Sequence, residues 1–359
     1  MGKKVLIKGN EAIAEAAIRA DCQCFFGYPI TPQTEVVAYM AKKMPKIGRV
    51  FLQAESEIAA INMVYGAAGT GVRCMTSSSG PGISLKSEGI SFIAGAELPC
   101  VIVNVVRAGP GLGGIQPAQS DYFQATRGGG HGDYYMPVYV PNSIQEIVDI
   151  TQDAFDVADL YRTPVMVMVD GMIGQMMEPV EFKERTSKQL PVKNWAANGL
   201  GKRKAHNIIN SLYLDPEILE KHNLNLQIKY EEIKKNETRY ELYNCSERCD
   251  LILVAYGTVS RICNNVIKMA KIHGVNIGLI RPITVWPFPK EAFEKTINLT
   301  DKGYLAVEMS LGQMVEDIRL SVSGRKEVYF YGRVGGMVPT PNEILLNIKS
   351  FLGGEKQCQ

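Results

Sequence analysis

The 359-residue chain has no excess of either charge: 39 Lys and Arg stand against 37 Asp and Glu, a formal net charge of +2. A balance this even gives no electrostatic reason to expect nucleic acid or an acidic membrane as a partner. No apolar run approaches the length of a bilayer span. The N-terminal stretch MGKKVLIKGNEAIAEAA has no apolar signal-peptide core, so a cytoplasmic protein is expected. Eight cysteines in a chain this long do not make a disulfide framework. Cys22, Cys24, Cys74 and Cys100 fall in or beside apolar runs, where a free thiol acts as a small hydrophobe. Cys245 and Cys249 form a C-x₃-C pair with no second pair and no nearby histidine, so no metal is assigned there. No C-x₂-C-x₂-C run exists, which argues against a cubane iron–sulfur cluster on this chain. Internal repeats and low-complexity segments are absent too.

What is present is a globular composition, 46% hydrophobic and 21% charged, at a length that suggests two domains or one with an appendage. From residue 3 to about 172 short apolar runs alternate with helical patterns. Strands are expected at 22–28, 49–53, 73–77, 100–106 and 165–169, and helices at 11–20, 32–43, 56–68, 82–96 and 143–161. Helix 56–68 is apolar on most sides and should be buried. Repeated βα units with near-continuous apolar strands predict an α/β fold with a parallel sheet covered on both faces. Residues 108–132 hold eight glycines and read as a long functional loop. Residues 181–250 carry 24 charged residues and read as a linker with an exposed helix from Asp215-Pro216 to Tyr243. From Leu251 the βα pattern returns. The expected division is 1–180, 181–248 and 249–359.

Ligands of open parallel sheets bind beyond the carboxyl ends of the strands. There the sequence places Thr31 after Tyr28-Pro29, then Glu55 and Glu57, then Ser77, Ser78 and Ser79 before Gly80-Pro81-Gly82, then Arg107. Taken singly, each has an ordinary reading. Thr31 can cap helix 32–43, and the serines can cap helix 82–96. Glu57 can be a first-turn carboxylate worth about 0.3–1 kcal/mol against the helix dipole, and Arg107 can pair with a surface carboxylate. Together they suit a small anionic substrate and a cofactor that uses one carboxylate. Gly109 to Gly114 matches G-x-G-x-x-G but runs on as loop, not helix. Gly80 to Ser87 misses a phosphate loop because Leu85 stands where the second glycine belongs.

Tyr28-Pro-Ile-Thr-Pro32, Glu55-Ser-Glu-Ile-Ala-Ala60, Thr76-Ser-Ser-Ser-Gly-Pro-Gly82 and Arg107-Ala-Gly-Pro-Gly111 resemble the α-type subunit of the 2-oxoacid:ferredoxin oxidoreductases. The likeness continues through Arg127–Asp133, Arg281–Pro287 and Gly335–Pro341, nearly the whole chain in order. Within that family the sequence looks most like the 2-ketoisovalerate type. The resemblance implies a thiamine-diphosphate pyrimidine-binding module followed by a transketolase C-terminal-like α/β domain. It implies Glu57 as the catalytic, cofactor-activating carboxylate, Thr31 and Arg107 as substrate-binding, and Tyr28, Pro29, Ser77, Ser78 and Ser79 as lining the cofactor. His131 is a candidate proton relay or a loop anchor, and Arg127 is a candidate partner for a second substrate carboxylate.

The resemblance also defines what is missing. Thiamine enzymes commonly hold the diphosphate through Mg²⁺ with a Gly-Asp-Gly motif and a later Asn. Here Gly132-Asp133-Tyr134 is the only Gly-Asp, and it lacks the second glycine. The chain is therefore expected to carry half a cofactor site. A β subunit would bring the diphosphate and Mg²⁺, with γ and ferredoxin-like cluster subunits completing an anaerobic hetero-oligomer. The implied reaction converts a branched-chain 2-oxoacid and coenzyme A to acyl-CoA, CO₂ and reduced ferredoxin. 2-Oxoglutarate or pyruvate are the alternative substrates, and a non-catalytic scaffold is the alternative of another kind.

Overall fold

The computed structural model describes residues 4–183 and 189–353. Residues 1–3, 184–188 within the expected linker, and 354–359 at the end of the expected C-terminal domain lie outside the described residues. The first sheet has seven strands, in the order Thr284–Trp286, Val138–Tyr139, Pro164–Asp170, Cys100–Val106, Cys74–Ser78, Cys24–Gly27, Val50–Gln53. All neighbours run parallel except Thr284–Trp286 against Val138–Tyr139. CVIVNVV and PVMVMVD are buried along their whole length, as strands sandwiched between helices must be. The chain steps from Cys24–Gly27 out to the edge at Val50–Gln53, then returns to pair Cys74–Ser78 on the other side. Where strand order reverses in this way, the connections leave in opposite directions and a crevice opens at the carboxyl ends. Tyr28 to Thr31 and Ser77 to Ser79 follow the two strands at that point.

Helices Glu57–Gly69 and Gly80–Gly95 pack together beside the crevice, and two glycines set how closely. A Cβ on Gly89 would lie 2.5 Å from Ile61 Cγ2, and one on Gly82 would lie 2.0 Å from Ser78 Oγ. Glu57–Gly69 is only half buried. Ala60, Ile61, Val64 and Ala68 face the core, whereas Ile58 is 49% exposed. The expected full burial therefore fails, because an all-round apolar helix does not reveal which face its own chain will cover.

The second sheet runs Val328–Gly332, Tyr304–Glu308, Leu251–Val254, Ile277–Pro282, Tyr240–Tyr243, with the last strand antiparallel. Two strands cross the expected boundaries. The helix expected to reach Tyr243 spans Pro216–Glu237, and Tyr240–Tyr243 pairs with Ile277–Pro282 instead. Its aromatic residues and the open sheet edge favour the strand. Thr284–Trp286 returns to the first sheet. Helix Pro216–Glu237 keeps a polar outer face but buries Leu226, Tyr230 and Ile233, and Lys229 Nζ donates to Glu97 at 2.9 Å. The expected exposed helix is thus docked along one side and exposed over most of its length. Arg281 joins the sheets, donating to both oxygens of Glu146 at 2.8 and 2.9 Å and to Glu241 at 2.9 Å. Asp170 accepts from the backbone and hydroxyl of Thr258 at 3.0 and 2.7 Å.

Gly89→Val should overpack the helix pair against Ile61 and lower stability by about 1–3 kcal/mol. The midpoint of urea unfolding should fall with an unchanged slope, and an unchanged midpoint would mean that the helices do not need this approach.

Candidate active site

Ser56 caps helix Glu57–Gly69 by accepting from Ala59 N at 3.1 Å, which makes Glu57 its first residue. Glu57 is 7% exposed, and Glu55 is exposed. The Glu57 carboxylate lies over Gly82, where a Cβ would come within 2.8 Å of Oε1. Ser78 Oγ occupies the same close space. The three serines differ in their bonding. Ser77 Oγ donates to Gln33 Oε1 at 2.6 Å, and Gln33 Nε2 donates to the Tyr28 carbonyl at 3.0 Å. Gln33 thereby ties the Tyr28-Pro29 turn to the serine strand. Ser78 and Ser79 are fully buried and their hydroxyls have no partner. Ser79 stands at the N-cap of helix Gly80–Gly95 but makes no side-chain cap.

The structure brings Thr31 and Arg107 together, though not through the threonine hydroxyl. Arg107 Nη1 donates to the Thr31 carbonyl and Nη2 to the Leu112 carbonyl, both at 3.0 Å, and the buried Nε has no partner. Thr31 is exposed, and the helix expected from residue 32 begins at Thr34, so Thr31 does not cap it. Outside Thr31 lies a cleft of about 710 Å³ whose walls include Pro32, Ile115, Gln116, Met172 and Val338.

Other expected residues lie elsewhere. His131 is exposed, its carbonyl accepts from Ser91 Oγ at 2.6 Å, and its ring stands edge-on to Phe92. Arg127 bonds Asp317 at 3.0 Å and stacks over Phe123. Tyr122 is fully buried and donates to the same Asp317 at 2.6 Å. Arg127 and Tyr122 attach the loop to helix Met314–Val322, and His131 meets helix Gly80–Gly95.

Lys86 is a member of the cluster that motif reading missed. It is fully buried, and its Nζ donates to Thr76 Oγ1 at 2.6 Å and to the Ser77 carbonyl at 3.4 Å. Burial pushes its pKa down to about 7, against the upward pull of Glu57 and the Cys100 thiol. The available signal was a single lysine on the Gly82 and Gly89 side of an apolar helix. Asn104 and Asp121 were also missed. Asn104 Nδ2 donates to Asp121 at 3.0 Å, and burial raises the Asp121 pKa against that bond and the Arg107 charge.

These residues fit one end of thiamine diphosphate. A carboxylate over a glycine too crowded to bear a Cβ, with the unpartnered buried hydroxyl of Ser78 beside it, suits a flat, polar-edged ring. The cations of the cluster, Lys86 and Arg107, are both turned to protein oxygens. Among the described residues no three His, Cys, Asp or Glu side chains converge as a metal site. Nor is any described helix long and apolar enough to cross a membrane.

A family model described as pyruvate flavodoxin/ferredoxin oxidoreductase, thiamine diphosphate-binding, matches residues 15–243. A second, pyruvate:ferredoxin oxidoreductase core domain II, matches residues 249–344. The ketoisovalerate oxidoreductase subunit VorB of Methanothermobacter marburgensis is 49% identical, covering 97% of this chain and 98% of its own. The 2-oxoglutarate synthase subunit KorA of Methanothermobacter thermautotrophicus is 37% identical, covering 96% and 98%. The structure of 2-oxoglutarate:ferredoxin oxidoreductase from Magnetococcus marinus, with 2-oxoglutarate, coenzyme A and succinyl-CoA bound, matches with a TM-score of 0.87 at 26% identity. The match covers 98% of this chain and 66% of that one. A split-gene transketolase, an inactive β4 tetramer, matches with a TM-score of 0.58 at 14% identity over 99% of this chain and all of its own, a likeness of fold alone.

Lys86 makes stability depend on pH. Unfolded lysine titrates near 10.4, so between about 7 and 10.4 the unfolded chain binds more protons than the folded one. Wild-type stability should therefore gain up to about 1.4 kcal/mol per pH unit across that window relative to Lys86→Met. Denaturant titrations of both proteins against pH measure this, and parallel curves would contradict it.

Proposed function

The chain belongs to the 2-oxoacid:ferredoxin oxidoreductase family, and from that premise we propose that it is the pyrimidine-binding subunit of a branched-chain enzyme. That enzyme converts 2-ketoisovalerate and coenzyme A to the acyl-CoA, CO₂ and reduced ferredoxin. The observation that carries the substrate class is the 49% identity, over nearly the full length of both chains, to a ketoisovalerate oxidoreductase subunit, against 37% to a 2-oxoglutarate synthase subunit. The cleft beside Thr31 supports it, because Ile115, Met172 and Val338 offer an aliphatic tail apolar walls. So does the bond of Arg127 to Asp317, which occupies the cation that was the candidate for a second substrate carboxylate.

When bound, thiamine diphosphate supplies a nucleophilic carbon for the 2-oxo group and a sink for the electrons left by decarboxylation. The residues of this chain hold and orient. Glu57 keeps a proton at the N1′ edge of the aminopyrimidine. Ser78 and Ser79 offer it hydroxyls that have no other partner, and the Tyr28-Pro29 turn, fixed through Gln33, borders the pocket. Thr31 and the N–H groups of Arg107 not used for the loop grip the substrate carboxylate. Partner chains supply the rest: a β subunit with the diphosphate and Mg²⁺, then γ and cluster-bearing subunits that pass electrons to ferredoxin. Exposed Ile58 and Leu85, each one residue from a buried charge of the site, favour such a cover. His131 serves the loop and not the proton transfer.

Two outcomes test this reading on the reconstituted complex. Glu57→Gln should bind cofactor yet slow exchange of its C2 proton by about 10²-fold or more, with Glu55→Gln close to wild type. Equal behaviour of the two variants would place the carboxylate elsewhere. kcat/KM should rank 2-ketoisovalerate above pyruvate and 2-oxoglutarate, and branched relatives that differ by one methylene should stay within about 10–200-fold. A best rate with 2-oxoglutarate would overturn the branched-chain assignment.

A further inference from the structure

Asn10 does nothing for its own helix. It is the second residue of Gly9–Arg19 and fully buried, yet that helix has no side-chain cap, and Asn10 Oδ1 has no partner. Both bonds of its Nδ2 leave the helix, to the Pro32 carbonyl at 2.6 Å and to Glu35 Oε2 at 2.8 Å. Gln175, far along the chain, makes the same pair of contacts. Its Nε2 donates to the Pro32 carbonyl at 3.3 Å and to Glu35 Oε2 at 3.0 Å. Both targets are acceptors only, which fixes the NH₂ end of each amide toward them. Lys8 Nζ completes the cluster, 3.6 Å from Glu35 Oε1. Close backbone contact keeps the two amides in step. A Cβ on Gly9 would lie 2.1 Å from the Ile173 carbonyl oxygen, and one on Gly174 would lie 2.7 Å from Asn10 Oδ1. A buried oxygen left without a partner is a cost, and such costs gather where a ligand is placed.

We propose that Asn10 and Gln175 are positioning residues for the substrate carboxylate, acting through Pro32 on Thr31 and Arg107. This rests on the reading of Thr31 and Arg107 as the groups that grip that carboxylate. The Thr31 carbonyl accepts from Arg107 at 3.0 Å, and the next carbonyl, that of Pro32, accepts from the two amides. Two successive carbonyls are thus gripped by three side chains from three separate segments. Thr31 needs this support because it is exposed in the connection between strand Cys24–Gly27 and helix Thr34–Lys43, and such connections move more than the elements they join. Glu35, in the first turn of that helix, ties the helix start into the same cluster, and its charge strengthens both amide bonds. Thr31, Pro32, Glu35 and Gln175 all line the cleft of about 710 Å³, so the network ends where the substrate is expected.

Steady-state kinetics of the reconstituted complex separate positioning from stability. Gln175→Leu, at an exposed position, should raise the KM for 2-ketoisovalerate by about 10–100-fold with kcat little changed. Asn10→Ser should move it in the same direction and further, since the buried amide makes the shorter bonds. In both variants the KM for coenzyme A and the affinity for thiamine diphosphate should stay at the wild-type value. With Thr31→Ala already present, Gln175→Leu should cost less than it does alone, because part of what it positions is gone. Gln175→Leu decides the matter if Asn10→Ser fails to assemble. A purely structural role would weaken all three ligands and kcat together and would add in full to Thr31→Ala, and either result would overturn the inference. A wild-type KM for 2-ketoisovalerate in Gln175→Leu, with a raised one in Thr31→Ala, would overturn the positioning role alone. A wild-type KM in Thr31→Ala would overturn the reading of Thr31, and this inference with it.

Discussion

The site depends on how closely helix Gly80–Gly95 approaches helix Glu57–Gly69. With Gly89 against Ile61 and Gly82 beneath Glu57, the helices lie nearer than any side chain at those positions permits. That approach drives the first residue of one helix over the first turn of the other, at the point where strand order reverses. A carboxylate that would be a solvated helix-end charge on a looser scaffold is instead buried at 7% exposure, over Gly82 and close to the unpartnered hydroxyl of Ser78. The same compression buries the Glu57 carboxylate, which suits the role proposed for it.

Folding alone gives no return for this arrangement. An unpartnered buried hydroxyl costs about 1–3 kcal/mol, and a buried amine more when it is charged. That cost is offset by apolar burial elsewhere in the core, in which strands like Cys100–Val106 and Pro164–Asp170 are buried throughout. Local rules are broken where a ligand is to be held and kept elsewhere. The exposed apolar residues nearby, Ile58 and Leu85, fit a surface that another chain completes.

Much of this was readable from spacing. Parallel strands announce themselves as unbroken apolar runs, and the residues after them must lie on one edge, so Glu57, the serines and Arg107 could be grouped before any coordinates. The Arg107–Thr31 contact follows from that edge, although the carbonyl and not the hydroxyl of Thr31 makes it. What spacing cannot convey is direction and long-range choice. Lys86 belongs to a stretch that resembles a failed phosphate loop, and only the packing at Gly82 and Gly89 turns it inward. Gln33 looks like an ordinary residue near a helix start, yet it links two segments 44 positions apart. Tyr240–Tyr243 and Thr284–Trp286 exchange places across the expected boundaries because an edge strand joins whichever sheet offers it an open ladder. Arg127 is paired with Asp317, and the His131 carbonyl and ring meet Ser91 and Phe92, contacts that their sequence neighbours did not announce.

The central claim is that this chain holds half of a thiamine diphosphate site: the carboxylate and the hydroxyls, without the diphosphate anchor. Titration of thiamine diphosphate and Mg²⁺ into the purified chain, with and without a partner subunit carrying Gly-Asp-Gly, tests it most directly. The account predicts no tight binding by the chain alone and stoichiometric binding once the partner is present. Tight, Mg²⁺-dependent binding by the isolated chain would contradict it.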